Sequence, residues 1–205
     1  EINHSIGYVN NNFSFDLIYA RPKQELESWR EELLRAIAFG TKHLSLYQLT
    51  IEKGTRFFGD FQKKKFSMPS QELSAEFYEL TEEIVCAHGF KTYEISNYAK
   101  ENFQCAHNLT YWRGLDYIGV GAGAHSRIYF ENQESRRAIS LLCEPNAWLN
   151  KVETDGIAAQ KIEKISQDQL LEELILMGLR LEEGISEKYF YPHFSKKFRE
   201  IFDYK

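Results

Sequence analysis

Short apolar stretches alternate with longer amphipathic ones between residues 13 and 95, and this alternation limits the fold more than any other feature. The apolar stretches are Phe13 to Tyr19, His43 to Leu49 and Phe90 to Ile95, each too short for an independent helix. Between them, apolar residues repeat at helical spacing from about Glu25 to Phe39 and from Ser70 to Gly89. The order strand, helix, strand, helix, strand predicts an α/β fold in which helices cover a parallel sheet.

The carboxyl ends of these strands are where a parallel sheet usually holds its ligands. Asp16 and Thr50 lie at or just past the middle of their strands, on that side. Asp16 interrupts an apolar strand, and a buried acid is costly unless it is paired. We therefore favour a site at Asp16 over the alternative that its carboxylate caps a neighbouring loop.

A second candidate site is the stretch from Tyr93 to Arg127, which has no simple helix or strand period. It carries two histidines, one cysteine and six aromatic residues, too much apolar surface to be left in water. The alternative is a long connection with aromatic side chains packed beneath it, but such connections are uncommon unless they are functional or disordered.

The chain changes character after Arg127. Tyr117 to Val120 is predicted to form a strand, and Pro145 to Val152 a short helix. Ser166 forms a predicted capping box with Gln169 ahead of a longer helix. We expect a boundary between Asn132 and Pro145, which divides the chain into residues 1–135 and a small helical C-terminal domain, residues 136–205.

Composition excludes several classes of protein. The net charge of −5 gives no general attraction to nucleic acid, and no apolar run reaches the roughly 20 residues of a membrane span. With no signal-like start, we expect a cytoplasmic protein. Its three cysteines are far apart, which argues against a disulfide framework, a closed zinc site or a clustered iron–sulfur site. Because the chain begins at Glu1, we expect it to be a piece of a longer protein.

Six motifs in order carry a family resemblance. They are DLIYARPKQELESWREEL from Asp16, LSLYQLTIEKGT from Leu44, YEISNYA from Tyr93, HNLTYW from His107, DYIGVGAGAHSR from Asp116 and LILMGLRLEEGI from Leu174. Together they resemble the family of the heme chaperone HemW and oxygen-independent coproporphyrinogen III oxidase, within the radical SAM superfamily.

The resemblance implies the C-terminal portion of a radical SAM partial (β/α) barrel with parallel strands, followed by a helical domain. It also implies that Asp16 and Thr50 contact S-adenosylmethionine. The heme-binding members carry an HNxxYW motif, and its counterparts here are His107, Asn108, Tyr111 and Trp112.

The departures from the family pattern are equally informative. The CxxxCxxC segment that holds a [4Fe-4S] cluster is absent from these 205 residues, so we expect no radical chemistry from this chain alone. The missing half would then lie on another chain, have been cut off, or be lost from a broken gene. The first loop also has Ala20 and Arg21 where the family usually has a glycine before the proline, which is expected to alter a turn.

Individual site residues keep more than one interpretation. His107 is the first candidate for an axial heme ligand, although a lone loop histidine is more often simply hydrogen-bonded. Cys105 is a weaker candidate for a second metal ligand or a reactive thiol, and a buried inert cysteine is the default. Arg127 is a candidate contact for a heme propionate, and a surface salt bridge is an equally good interpretation.

Three functions remain open. The leading hypothesis is a heme-binding chaperone that passes heme to an acceptor protein. The second is a radical SAM decarboxylase of coproporphyrinogen III, completed by an N-terminal half on a separate chain. The third is a non-functional remnant, whose open sheet edge would favour aggregation.

Overall fold

The computed structural model describes residues 12–130, 135–194 and 198–201. These residues fold as two compact units, one ending at Cys105 and the other beginning at Ala106. The predicted domain boundary beyond residue 131 is a different division of the chain and stays a prediction. One of its limits, Asn132, lies outside the described residues.

The first unit contains four strands and three helices. In chain order they are β1 (Ser14–Tyr19), α1 (Leu26–Ala38), β2 (His43–Gln48), α2 (Arg56–Gln62), α3 (Gln71–Ala87), β3 (Lys91–Glu94) and β4 (Asn97–Ala99). Strands β1 and β2 pair in parallel, and α1 makes the crossover between them. The predicted strand, helix, strand order is therefore present.

Strand β4 was not predicted. The sheet order is β1-β2-β4-β3, and β4 runs antiparallel to both of its neighbours. The expectation of a purely parallel sheet is thus wrong at this point, although β3 still runs in the direction of β1 and β2. Helix α2 was also missed, because its seven residues follow a polar loop; the Thr55 hydroxyl caps it by accepting from the N–H of Phe58.

The core of the first unit lies between the sheet and helices α1 and α3. Alternate residues of β1 and β2 face it, so that Leu44, Leu46 and Tyr19 meet Trp29 of α1 and Phe77 of α3. Each of these five side chains is almost completely buried. Because strand residues alternate between faces, Asp16 must lie on the opposite face.

The turn after β1 contains Ala20 and Arg21, and the altered turn expected there stays a prediction. Ala20 is buried and has a φ of 55°, in the left-handed region that favours glycine. A glycine would be unstrained at this position, whereas alanine carries a backbone cost of about 1–2 kcal/mol.

The second unit combines helices with an antiparallel sheet. Its elements are α4 (Ala106–Trp112), β5 (His125–Phe130), β6 (Ser135–Leu141), α5 (Pro145–Asp155), β7 (Ala159–Lys164), α6 (Gln167–Gly178), α7 (Glu187–Phe194) and α8 (Phe198–Ile201). The sheet order is β5-β6-β7, with both pairs antiparallel. The expectation that residues 136–205 form a helical domain is therefore wrong, because this range also contains strands. The predicted capping box of Ser166 and Gln169 is confirmed at the start of α6.

The strand expected from Tyr117 to Val120 does not form. Tyr117 makes a single antiparallel bridge with Arg127, and the following residues are a loop. Gly119 is required there for a close approach within the chain, since a Cβ on it would lie 2.2 Å from the carbonyl oxygen of His125.

Candidate functional site

The two residues expected to contact S-adenosylmethionine lie along neighbouring parallel strands. Asp16 is paired in register with Ser45, and Thr50 follows the end of β2. Both side chains are exposed, so the expectation of a buried acid at position 16 is wrong. At about 3.3 Å per residue, the five steps from Ser45 to Thr50 span roughly 16 Å, so only an elongated ligand would touch both side chains.

Polar side chains that sequence analysis missed share the face of Asp16. The Nδ1 atom of His43 lies 2.7 Å from the hydroxyl oxygen of Ser14, and its Nε2 atom lies 2.8 Å from that of Tyr93. Burial lowers the pKa of His43, and the nearby Asp16 carboxylate opposes that shift. Positions 14, 16, 43 and 45 alternate with the core positions, so strand period is the signal that could have found this face.

Helix α4 carries the HNLTYW motif. Leu109 is buried and anchors the helix, while His107 is exposed. The hydroxyl oxygen of Tyr111, one turn later, lies 2.9 Å from Nε2 of His107, and the two rings meet edge to face at 4.7 Å. A metal-binding histidine is commonly oriented in this way through its second ring nitrogen. The arrangement therefore leaves Nδ1 of His107 as the nitrogen for a ligand.

Trp112 and Asn108, the other two motif residues, are half-buried. The Arg180 guanidinium lies 4.5 Å from the centre of the Trp112 ring, so that ring already has a cation–π partner on one face. Among the described residues the buried indole N–H of Trp112 makes no hydrogen bond. Less of this ring is open to a macrocycle than the sequence predicts.

Arg127 on β5 forms an ion pair inside the second unit. Its Nη2 donates to Glu173 Oε1 at 2.9 Å, and its Nε lies within 3.3 Å of both oxygens of that carboxylate. This hydrogen bonding to Glu173 raises the pKa of Arg127. The structure therefore contains the salt bridge that was the alternative interpretation of Arg127. A propionate that binds at Arg127 would have to compete with Glu173.

Cys105 is partly buried and free, and its backbone N–H donates to the Tyr93 hydroxyl at 3.4 Å. Across the described part of the chain, no three histidine, cysteine, aspartate or glutamate side chains are grouped so as to hold a metal ion. A role for Cys105 as a ligand stays a prediction. In the same described ranges, no helix has both the length and the apolar character to cross a membrane.

Comparison with known proteins finds a matching family model and several relatives. The family model for the HemN C-terminal domain matches residues 165–204. The mitochondrial radical S-adenosyl methionine domain-containing protein 1 of Danio rerio is 37% identical over 178 residues, which are 86% of this chain and 40% of that protein. The heme chaperone HemW of Bacillus subtilis is 32% identical over 197 residues, 96% of this chain and 50% of that protein.

The chain is HemW-like. The heme chaperone HemW of Synechocystis supports the same resemblance, with 39% identity over 85% of this chain and 42% of that protein. The predicted likeness to the HemW and coproporphyrinogen oxidase family is thus confirmed. The HemW-like chain spans half or less of the length of these relatives.

A solved structure shows the fold independently. Coproporphyrinogen III oxidase (HemN) from Escherichia coli, a radical SAM enzyme, matches 98% of the HemW-like chain and 48% of its own chain, with a TM-score of 0.71. At 16% identity this likeness concerns the fold alone. It confirms the predicted α/β class and its relation to the radical SAM fold.

Proposed function

We propose that this HemW-like chain binds heme for transfer to an acceptor protein. The observation that supports the proposal most directly is the exposed imidazole of His107, held through Nε2 by Tyr111 on the same helix. Neutral imidazole is a common ligand of heme iron, and an ordered ring loses less freedom on binding. Heme is cargo in this proposal, and the residues assigned to it are His107, Asn108, Tyr111 and Trp112.

Titration of the purified chain with hemin tests this assignment. We expect a shifted Soret band with the native chain and loss of that shift in His107→Ala. His125→Ala is the matched control, because His125 is also an exposed histidine of the second unit. Equal spectra for the native chain and His107→Ala, or a loss confined to His125→Ala, would refute the proposal.

The hydroxyl of Tyr111 offers a finer test. Tyr111→Phe keeps the ring that contacts His107 and Tyr117 but removes the hydrogen bond to Nε2. Loss of such an orienting partner typically weakens metal binding about 10- to 100-fold. We expect hemin affinity to fall within that range while the position of the Soret band still reports histidine ligation.

The cofactors of the family belong to the proposal as well. The exposed Asp16 carboxylate suits a cationic or hydroxyl-bearing ligand, so Asp16 and Thr50 are proposed to bind S-adenosylmethionine. The described residues provide no group of thiolates for a [4Fe-4S] cluster. We therefore assign no radical step to them.

An enzymatic function is the second candidate, and the fold shared with a radical SAM enzyme favours it. It requires a segment with the CxxxCxxC motif, proposed to lie on another chain or elsewhere in a longer one. Mixing the chain with such a segment under reducing conditions and measuring cleavage of S-adenosylmethionine separates the two candidates. The cytoplasmic location stays a prediction, since several relatives are named as mitochondrial.

A further inference from the structure

A cavity in the second unit contains a buried cation that the heme assignment above does not use. The cavity has a volume of about 50 Å³ and is lined by Tyr111, Tyr117, Arg127, Arg136, Glu173 and Met177, among others. A single water needs roughly 10–15 Å³ on this measure, so the space admits a group larger than one water. We call it the Arg136 cavity.

Arg136 is 3% exposed and incompletely bonded. Its Nη2 donates to the carbonyl oxygen of Leu115 at 2.7 Å. Its Nε lies 3.4 Å from Asp116 Oδ1, close enough for an ion pair, yet it makes no hydrogen bond to any described residue. A buried guanidinium with an unused N–H is costly, and few native proteins leave such a donor without a partner.

The neighbouring carboxylates neutralise the positive charge of Arg136 only in part. The carboxylate of Glu173 is bound by the fork of Arg127, and Asp116 also accepts from the N–H of Tyr129 at 2.6 Å. Burial lowers the pKa of Arg136, while Asp116 and Glu173 raise it and Arg127 lowers it further. An added anion would stabilise the charged form of Arg136.

Tyr111 connects this cavity to the proposed heme ligand. Its ring lines the Arg136 cavity, and its hydroxyl is bonded to His107. Arg127 and Glu173 are 24% and 33% exposed, so that wall of the cavity is partly open to solvent. Tyr111 therefore borders both the Arg136 cavity and the imidazole that is assigned to heme.

We propose that the Arg136 cavity binds a carboxylate of the tetrapyrrole carried by His107, and this inference rests on the proposed function. Heme carries two propionate carboxylates, and a guanidinium binds a carboxylate through two parallel hydrogen bonds more readily than a lysine does. Arg136, rather than Arg127, is the anchor, because Arg127 already has Glu173. The site selects tetrapyrroles with free acidic side chains over their esters.

Hemin and hemin dimethyl ester, titrated in the same detergent buffer, test this selectivity. The ester keeps the iron and the ring but removes both negative charges. Since hydrogen bonds to charged groups are worth more than neutral ones, we expect the native chain to prefer hemin by about tenfold. His107→Ala should weaken both ligands equally, because it removes the iron ligand and leaves the Arg136 cavity intact.

Two variants with opposite expected effects examine the cavity itself. Arg136→Gln should abolish the preference for hemin, and its circular dichroism spectrum checks folding, because Arg136 is buried. Glu173→Gln changes a half-buried residue and removes the carboxylate that repels a propionate. It should increase the preference for hemin several-fold and leave ester binding unchanged.

The outcomes separate the two proposals. No preference in the native chain, a preference that survives in folded Arg136→Gln, or a preference that Glu173→Gln leaves unaltered overturns the carboxylate site at Arg136. Heme binding through His107 would stand in that case. Absence of any hemin binding would overturn both proposals.

Discussion

The buried pair of Trp29 and Thr81 allows a sharp test of how the first unit is held together. Both side chains have no exposed surface. The indole N–H of Trp29 on α1 donates to the hydroxyl of Thr81 on α3 at 2.9 Å, and that hydroxyl donates to the carbonyl oxygen of Phe77 at 2.7 Å. Thr81→Val preserves the side-chain volume and removes the acceptor of the indole.

The expected loss of stability in Thr81→Val follows from the indole N–H of Trp29, which this substitution leaves unpaired. Valine packs where threonine did, so the main cost is one buried N–H without a partner, about 1–3 kcal/mol. With a urea m-value of about 2 kcal/mol/M, the unfolding midpoint should fall by roughly 0.5–1.5 M. Thr154→Val is the matched control, because its hydroxyl also bonds a carbonyl four residues earlier but is exposed, so its midpoint should hardly change.

Urea unfolding followed by circular dichroism measures the four chains of a double-mutant cycle: the native chain, Thr81→Val, Trp29→Phe and the double variant. Once the indole N–H is absent, Thr81→Val should cost little, so the two changes should not be additive. Additive costs, or a Thr81→Val midpoint equal to that of the native chain, would contradict the reasoning.

Three further results are expected. Gly114→Ala should destabilise the second unit by at least about 1–2 kcal/mol, because Gly114 has a φ of 64° and the new methyl carbon would lie 2.0 Å from Leu174 Cδ2; thermal unfolding measures this. Burial lowers the pKa of His43, so as pH falls below about 6.5 this histidine takes up a proton in the unfolded chain before it does so in the folded chain. The free energy of unfolding should therefore decrease from pH 7.5 to pH 5.5, as measured by urea titrations. The decrease should be smaller in His43→Asn. Ser166→Ala removes the N-cap of α6 and should cost about 1 kcal/mol in the same unfolding assay.

Sequence predicts the elements whose apolar period is regular and whose core is local. Helices α1 and α3 and strands β1 and β2 belong to this group, and their buried faces meet in one core. Strand β4 has only three residues, and its pairing with both β2 and β3 depends on contacts that no local pattern reveals. Strand β7 is almost entirely exposed and rich in charged residues, so its sequence does not indicate that it belongs to a sheet.

The residues of the candidate sites likewise include some that the sequence predicts and some that it does not. The motif at His107 is local, and the structure places its imidazole at the surface. The exposure of Asp16 was predicted wrongly because the apolar residues on either side of it in the sequence were taken as a sign of burial. Those residues point to the core, whereas Asp16 points to the opposite face of the sheet. Arg136 was not predicted, because its burial and its incomplete bonding arise from Leu115 and Asp116, about 20 positions away in the chain.

Strand β1 has a consequence for amide hydrogen exchange. Among the described strands it pairs on one side only, with β2. In a parallel ladder, alternate residues of an outer strand direct their N–H groups toward the neighbour, and the rest point away from it. Deuterium uptake along Ser14–Tyr19 should therefore alternate between slow and fast sites, and binding of a further strand along that edge would be detected as slowing of the fast set alone.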